Sequence, residues 1–346
     1  MTLIYFILIL GITVFIHELG HFIFAKKAGV HVYEFSIGMG PAIFKKKRKN
    51  DDTLYCIRLF PIGGFVSIAG EDDYIDKEIP KDKQLLFKPW KNRFMTMIAG
   101  VMFNFILAIV LLFFVGIAIG APKYESKVSR VDPAYPLSDT NLKAGDTIIK
   151  YNNSNIHTTD KLALLLTMNK GEEVTLTVKH EDKTTEEIKV KPIKVEEDSV
   201  VAYRFGLELD NTKTKDILSL IIYPFKKTYS LVEQMVLILK NLITGNLSLD
   251  NLSGPIGIYT VVDETAKAGF INVIYLIAYL CINVGFINLI PFPAFDGGRA
   301  LFLIIEKIRG KAINPKTENM IHTIGFYLLM ALMVLITYND IIKLIG

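Results

Sequence analysis

His17-Glu18-Leu19-Gly20-His21 sits inside Leu3–Ala25, a stretch that is otherwise almost wholly apolar and ends at Lys26 and Lys27. At about 1.5 Å per residue, a helix of this length crosses a hydrocarbon layer of about 30 Å. A secretory signal peptide is the competing reading. Against it, Met1-Thr2 carries no basic side chain, no small-residue cleavage site follows, and three ionisable residues interrupt the run. Residues four apart share a helical face, so His17 and His21 can turn ring nitrogens toward one metal ion. Glu18 is rotated by about 100° from that face, where it can take a proton from a water on the metal. Three ionisable groups in one span cost several kcal/mol unless they have partners or face a cavity, which favours the metal reading over chance.

Three further spans follow outward from this segment: Phe94–Ile119, interrupted only by Asn104, Ile271 to about Phe292, and about Ile321 to Tyr338. The whole chain agrees with this, since 51% of its 346 residues are apolar and its mean hydropathy is +0.36. Cys56 and Cys281 are the two cysteines; they exclude a disulfide framework and a four-cysteine zinc site, and read as packing residues. The net charge of +4, from 39 basic and 35 acidic residues, gives no ground for nucleic-acid binding.

Lys26–Arg93 carries 14 Lys and Arg against 9 Asp and Glu, including the run Lys45–Lys49, and Lys307, Arg309, Lys311 and Lys316 lie between the last two spans. Both connections read as cytoplasmic, which places both termini and Pro122–Phe270 outside. Within that outer segment, β-branched runs at Val128–Val131, Asp146–Ile149, Val174–Val178 and Ile188–Val190 surround a helical stretch, Thr159–Met168. Lys213–Asn246 suits amphipathic helices at a membrane surface, or ordinary linker helices. Asn104 reads as an interhelical hydrogen bonder, and His31, His157, His180 and His322 as surface or packed residues.

Catalytic zinc takes three protein ligands and leaves one position open, so a third ligand is needed. The third span ends in Asn288-Leu289-Ile290-Pro291-Phe292-Pro293-Ala294-Phe295-Asp296-Gly297-Gly298-Arg299, where two prolines break the helix. Asp296 is either the N-cap of the apolar helix that follows or, on the same side as His17 and His21, the best available carboxylate ligand.

These motifs resemble the site-2 protease family of intramembrane zinc metalloproteases (peptidase family M50). The likeness is strongest to the bacterial branch that includes the regulator of sigma-E protease and its single-PDZ Gram-positive counterparts. It is carried by His17–His21, by Asn288-x-x-Pro291-x-Pro293-x-x-Asp296-Gly297-Gly298, and by Gly254-Pro255-Ile256-Gly257 before the third span. It implies zinc held by His17, His21 and Asp296, Glu18 as general base, and Asn288 as a donor to substrate backbone or oxyanion. The runs Val32–Gly40 and Tyr55–Val66 resemble a membrane-associated β-element beside the active site, whose open edge could take an unwound substrate as a further strand. Val128 to about Leu209 resembles a PDZ domain, although Asn141 stands where the turn usually has glycine.

The expected architecture is therefore a mostly α-helical polytopic membrane protein with about four transmembrane helices, a β-element and one external PDZ-like α/β domain. Its parts are residues 1–26, first span; 27–93, β-element and loop; 94–120, second span; 121–210, PDZ-like; 211–270, amphipathic helices and linker; 271–305, third span; and 306–346, loop and fourth span. The resemblance implies cleavage, within the bilayer, of already shortened single-span proteins such as anti-sigma factors and remnant signal peptides. A catalytically silent PDZ scaffold would not need Glu18. A metal or ion permease would be expected to show an inverted repeat or a second broken helix, and neither is visible.

Overall fold

The computed structural model describes all residues except 50, 72–74, 124, 198–199, 249–253 and 346. Eight helices are found among the described residues: α1 (Thr2–Lys27), α2 (Trp90–Ile119), α3 (Thr159–Met168), α4 (Ile217–Ile243), α5 (Pro255–Lys267), α6 (Phe270–Leu289), α7 (Asp296–Arg309) and α8 (Pro315–Ile345). The chain divides into two compact units, Met1–Leu112 with Lys240–Gly346, and Phe113–Leu239. Four helices are long and apolar enough to cross a membrane: α1, α2, α6 and the Lys316–Ile342 part of α8, at the places the hydropathy reading assigns. The apolar window of α8 is only 6% buried, with Leu328, Val334 and Leu335 exposed. A water-facing helix could not sustain such a surface, whereas lipid accepts it.

In the first unit, strands β1 (Val32–Lys47) and β2 (Leu54–Ile68) form more than a simple hairpin. Residues 32–37 pair with 64–68 on one side (Phe35↔Val66, Ile37↔Gly64) and with 54–57 on the other (Phe35↔Tyr55, Ile37↔Ile57). The far half of β1 pairs back with the start of β2 (Ala42↔Arg58, Lys47↔Leu54). The result is a four-segment sheet in the order 42–47, 54–57, 32–37, 64–68, with 42–47 and 64–68 at its edges. Gly38 and Gly63, both at φ +87°, supply the left-handed backbone that lets each strand turn within itself. Arg58 fastens the sheet by donating to Glu34, Ser36 and the Gly40 carbonyl. Val32 and Ile68 then pack with Ala25, Met97 and Leu303, joining the sheet to α1, α2 and α7.

Ile9, Val262, Val273 and Leu276 form a second core that packs α1, α5 and α6 together. The entry to α5 explains Gly254-Pro255-Ile256-Gly257. Pro255 occupies the first helical position, where its missing N–H costs nothing. The Gly257 N–H donates at 3.0 Å to Oδ2 of Asp340, a buried carboxylate on α8, and a Cβ on Gly254 would collide with that same oxygen. A negative group at a helix N-terminus satisfies an orphan donor and the helix dipole together.

In the second unit, a four-stranded antiparallel sheet runs in the order 154–155, 147–151, 174–179, 185–190. Leu137, Ile148, Leu162, Leu176 and Val178 are fully buried in its core. The sequence-expected strands and α3 are present, and a hairpin of 193–197 with 200–204, together with 207–209 paired to 128–131, adds to them. Thr158 caps α3 by accepting from the Lys161 N–H. Within 213–246 there is one helix, α4, with Pro224 inside it, rather than several, while Lys213 and Thr214 pair as a short strand with Pro122 and Ala121. Its polar face docks on α3 through Lys227–Asp160 at 2.7 Å, Lys161–Glu233 at 2.8 Å and Ser230–Asp160 at 2.9 Å. His180 lies between two carboxylates, Asp146 at 3.0 Å and Glu186 at 3.3 Å.

Two predictions follow from these contacts. Asp340→Ala should lower stability by about 1–2 kcal/mol through loss of the α5 cap, read as a lower melting temperature of the detergent-solubilised chain, with Asp340→Asn intermediate. The hydrogen bond to Asp146, with Glu186 adding to it, raises the His180 pKa above its ordinary 6.5. The stabilisation from these contacts is therefore full below that ordinary value and fades as pH rises through the raised one. An NMR titration of His180 in the intact chain should have its midpoint above 6.5, and Asp146→Asn should lower it.

Candidate metal centre

His17, His21 and Asp296 are the one group of three metal-ligating side chains that converges among the described residues. His17 Nε2 and His21 Nε2 are 3.2 Å apart, and they lie 3.0 and 3.3 Å from Asp296 Oδ2. A tetrahedral ion with bonds of about 2.0 Å spaces its ligand atoms by about 3.3 Å, so the triangle has the dimensions of a zinc site. Asp296 Oδ2 is buried and makes no hydrogen bond, although both rings approach it. Two imidazole nitrogens and one carboxylate oxygen, with a fourth position left over, are a donor set that fits catalytic zinc.

The site depends on a close approach of α1 and α2. A Cβ on Gly20 would strike the Ala99 carbonyl, and a Cβ on Gly100 would occupy the space of His21 Nε2 and the His17 ring. Thr96, Gly100 and Asn104 recur every four residues and so line one face of α2. The Thr96 carbonyl accepts from His21 Nδ1 at 2.8 Å, which leaves the His21 Nε2 lone pair for a metal. Asn104, fully buried, places Nδ2 3.4 Å from His17 Nδ1.

Asp296 arrives from a separate direction. Helix α6 stops at Leu289, the chain runs through Pro291 and Pro293, and α7 begins at Asp296 itself. Gly297 and Gly298 allow that first turn to press on the carbonyls of Leu289 and Phe292, where any Cβ would collide. The loop is held by the Ala294 N–H donating to His322 Nδ1 at 3.0 Å, with Ala294 itself in the left-handed region at φ +81°. Beyond it, Trp90 Nε1 donates to the Leu303 carbonyl, and Arg93–Glu306 and Arg299–Glu71 pair at 2.8 and 2.7 Å. These contacts fix α7, and with it Asp296, against α2.

Glu18 lies beside the 64–68 edge of the first unit's sheet. Its carboxylate accepts from the Val66 backbone, and its Cγ stands 3.6 Å from where a Cβ on Gly64 would be. Asn288 is half-buried on the last turn of α6, and no hydrogen bond ties it to the three convergent side chains among the described residues. Asn104 is the interhelical hydrogen bonder that its sequence suggests, but sequence reasoning missed that its partner is His17, and it missed the contact of His322 with the proline loop. The Gly100-x-x-x-Asn104 spacing inside an apolar span was the available signal for the first.

The model of peptidase family M50 matches residues 5–332. Curated relatives include the zinc metalloprotease RasP of Oceanobacillus iheyensis, 32% identical, and the regulator of sigma-W protease RasP of Bacillus subtilis, 33% identical. A putative zinc metalloprotease of Clostridium perfringens is 36% identical. Each match covers 99% of this chain and 99% of the relative.

Gly100→Ala should seat a methyl group where the two rings now lie and displace them while leaving the helices formed. Metal analysis of the purified variant should give at least about tenfold weaker zinc retention, with a near-parental helical circular dichroism signal.

Proposed function

The chain belongs to peptidase family M50 as a multi-pass membrane zinc metalloendopeptidase, and on that premise we propose that it cuts membrane-spanning segments of single-span proteins already shortened by another protease. The observation that carries this reading is the meeting of His17 and His21, on a helix apolar enough to cross a membrane, with Asp296 at the start of α7, and with Glu18 beside them at a strand edge unpaired among the described residues. His17, His21 and Asp296 would hold a zinc ion, which would supply polarisation of the scissile carbonyl and acidification of a water. Glu18 takes the proton from the attacking water and passes it to the leaving amine. Asn288 donates to the substrate backbone or to the developing oxyanion, a role worth about 3 kcal/mol where such donors act.

A helical substrate keeps its carbonyls in i to i−4 bonds and offers none to attack. Residues 64–68 pair on one side only among the described residues, with 32–37. A substrate that unwinds can add there as a strand, its backbone satisfied by the sheet while one carbonyl is presented beside Glu18. The bias of basic residues puts the active site near the cytoplasmic face, with both termini and the 121–210 unit outside. That unit, read as PDZ-like, excludes substrates that keep a bulky ectodomain. Anti-sigma factors and remnant signal peptides are the substrate classes proposed. The name of the Bacillus subtilis relative, a regulator of sigma-W protease, agrees with the first.

Glu18→Gln should keep zinc but lose about 10²–10⁴-fold in turnover of a single-span substrate in detergent or liposomes. Loss of zinc in that variant would instead place Glu18 in the metal shell. Equal turnover would remove it from the chemistry.

A further inference from the structure

Asn104 is fully buried in α2, and only one end of its amide has a partner. Nδ2 stands 3.4 Å from His17 Nδ1, at the long limit of a hydrogen bond, while Oδ1 is buried with none. An N–H can donate to Nδ1 only while His17 carries its proton on Nε2. That proton would then face Asp296 Oδ2 at 3.0 Å as well as His21 Nε2 at 3.2 Å, the space that a shared metal ion would take.

A metal at the centre needs the lone pair of His17 Nε2. The His17 proton must then reside on Nδ1, where it meets Nδ2 of Asn104, a second donor. Half a turn of the Asn104 amide about its terminal bond exchanges Nδ2 for Oδ1. It gives the Nδ1 proton an acceptor and gives the orphan oxygen a partner in the same step. His21 needs no such device, because its Nδ1 already faces the fixed Thr96 carbonyl.

We propose that Asn104 is a positioning residue for His17, an amide whose oxygen accepts the His17 Nδ1 proton when Nε2 is given to the metal. Resting on the zinc reading of the site, this assigns to α2 the outer-shell partner of each histidine: a backbone carbonyl for His21 and a side-chain amide for His17. Outer-shell acceptors of this kind set ring orientation and basicity. The arrangement explains why a full amide is buried in an apolar span with half its hydrogen-bonding capacity unused.

Chelator competition on the full-length chain in detergent tests it, with Asn104→Leu and Asn104→Asp beside the parent. Asn104→Leu removes the acceptor and should weaken zinc by about 10- to 100-fold, with a changed visible spectrum of the cobalt-substituted form. Asn104→Asp keeps an acceptor for the Nδ1 proton and should bind zinc within about threefold of the parent or more tightly. Parental affinity in Asn104→Leu, or equal weakening in both variants, would reduce Asn104 to packing and overturn the proposal. Should Asn104→Leu fail to fold, the side-chain amide signal of Asn104 in ¹⁵N-asparagine-labelled parent decides. A shift on zinc addition supports the turned amide, and an unmoved signal overturns it. A parent that binds no zinc would bring down the metal reading itself and this proposal with it. An Asn104 effect that is absent while zinc binds removes this proposal alone.

Discussion

Backbone-to-backbone contact between α1 and α2 is the constraint from which the rest of the site follows. Imidazoles and a carboxylate in an apolar span are costly unless each polar atom has a partner. Gly20 and Gly100 remove the side chains that would hold the two helices apart. Only then can His17 and His21 lie against α2, where a backbone carbonyl and an amide meet their outer nitrogens. Small residues at helix contacts commonly serve packing in membranes, where hydrophobic burial gives no net drive. Here the same close approach also builds the floor of the metal centre.

The break between α6 and α7 lets the third convergent side chain come from the first residue of a new helix. Freed backbone groups in an apolar layer require protein partners. Gly297 and Gly298 bring the new helix against the carbonyls left by the old one, and His322 takes the Ala294 N–H. Asp340, a buried acid on α8, is spent on the N-terminus of α5.

The sheet of 32–68 lies beside this centre. Its outer side at 64–68 is unpaired among the described residues and lies at Glu18, so the proposed general base and the proposed seat of an unwound chain are adjacent. In the second unit, α4 turns its charged face to α3, while Leu218, Ile221 and Phe225 remain exposed. An amphipathic helix with that division is suited to the boundary between membrane and water.

Hydropathy and spacing alone determined much of this protein. The four spans, the pairing of His17 with His21, Asp296 after the proline break, and the strands of 128–190 were legible, because apolar length and periodicity are properties of consecutive residues. Helix α5 and the single long α4 were less so, because polar residues interrupt both and neither is a continuous apolar run, and because α4 continues through Pro224, a residue that ordinarily ends a helix. The double pairing of Val32–Ile37 was hidden because register depends on which residues face one another across the sheet. The tertiary structure alone put Asn104 on His17, Thr96 on His21, His322 on the proline loop and Asp340 on Gly257. Each joins residues 28 or more positions apart, and local sequence carries no record of which distant polar group will satisfy a buried donor.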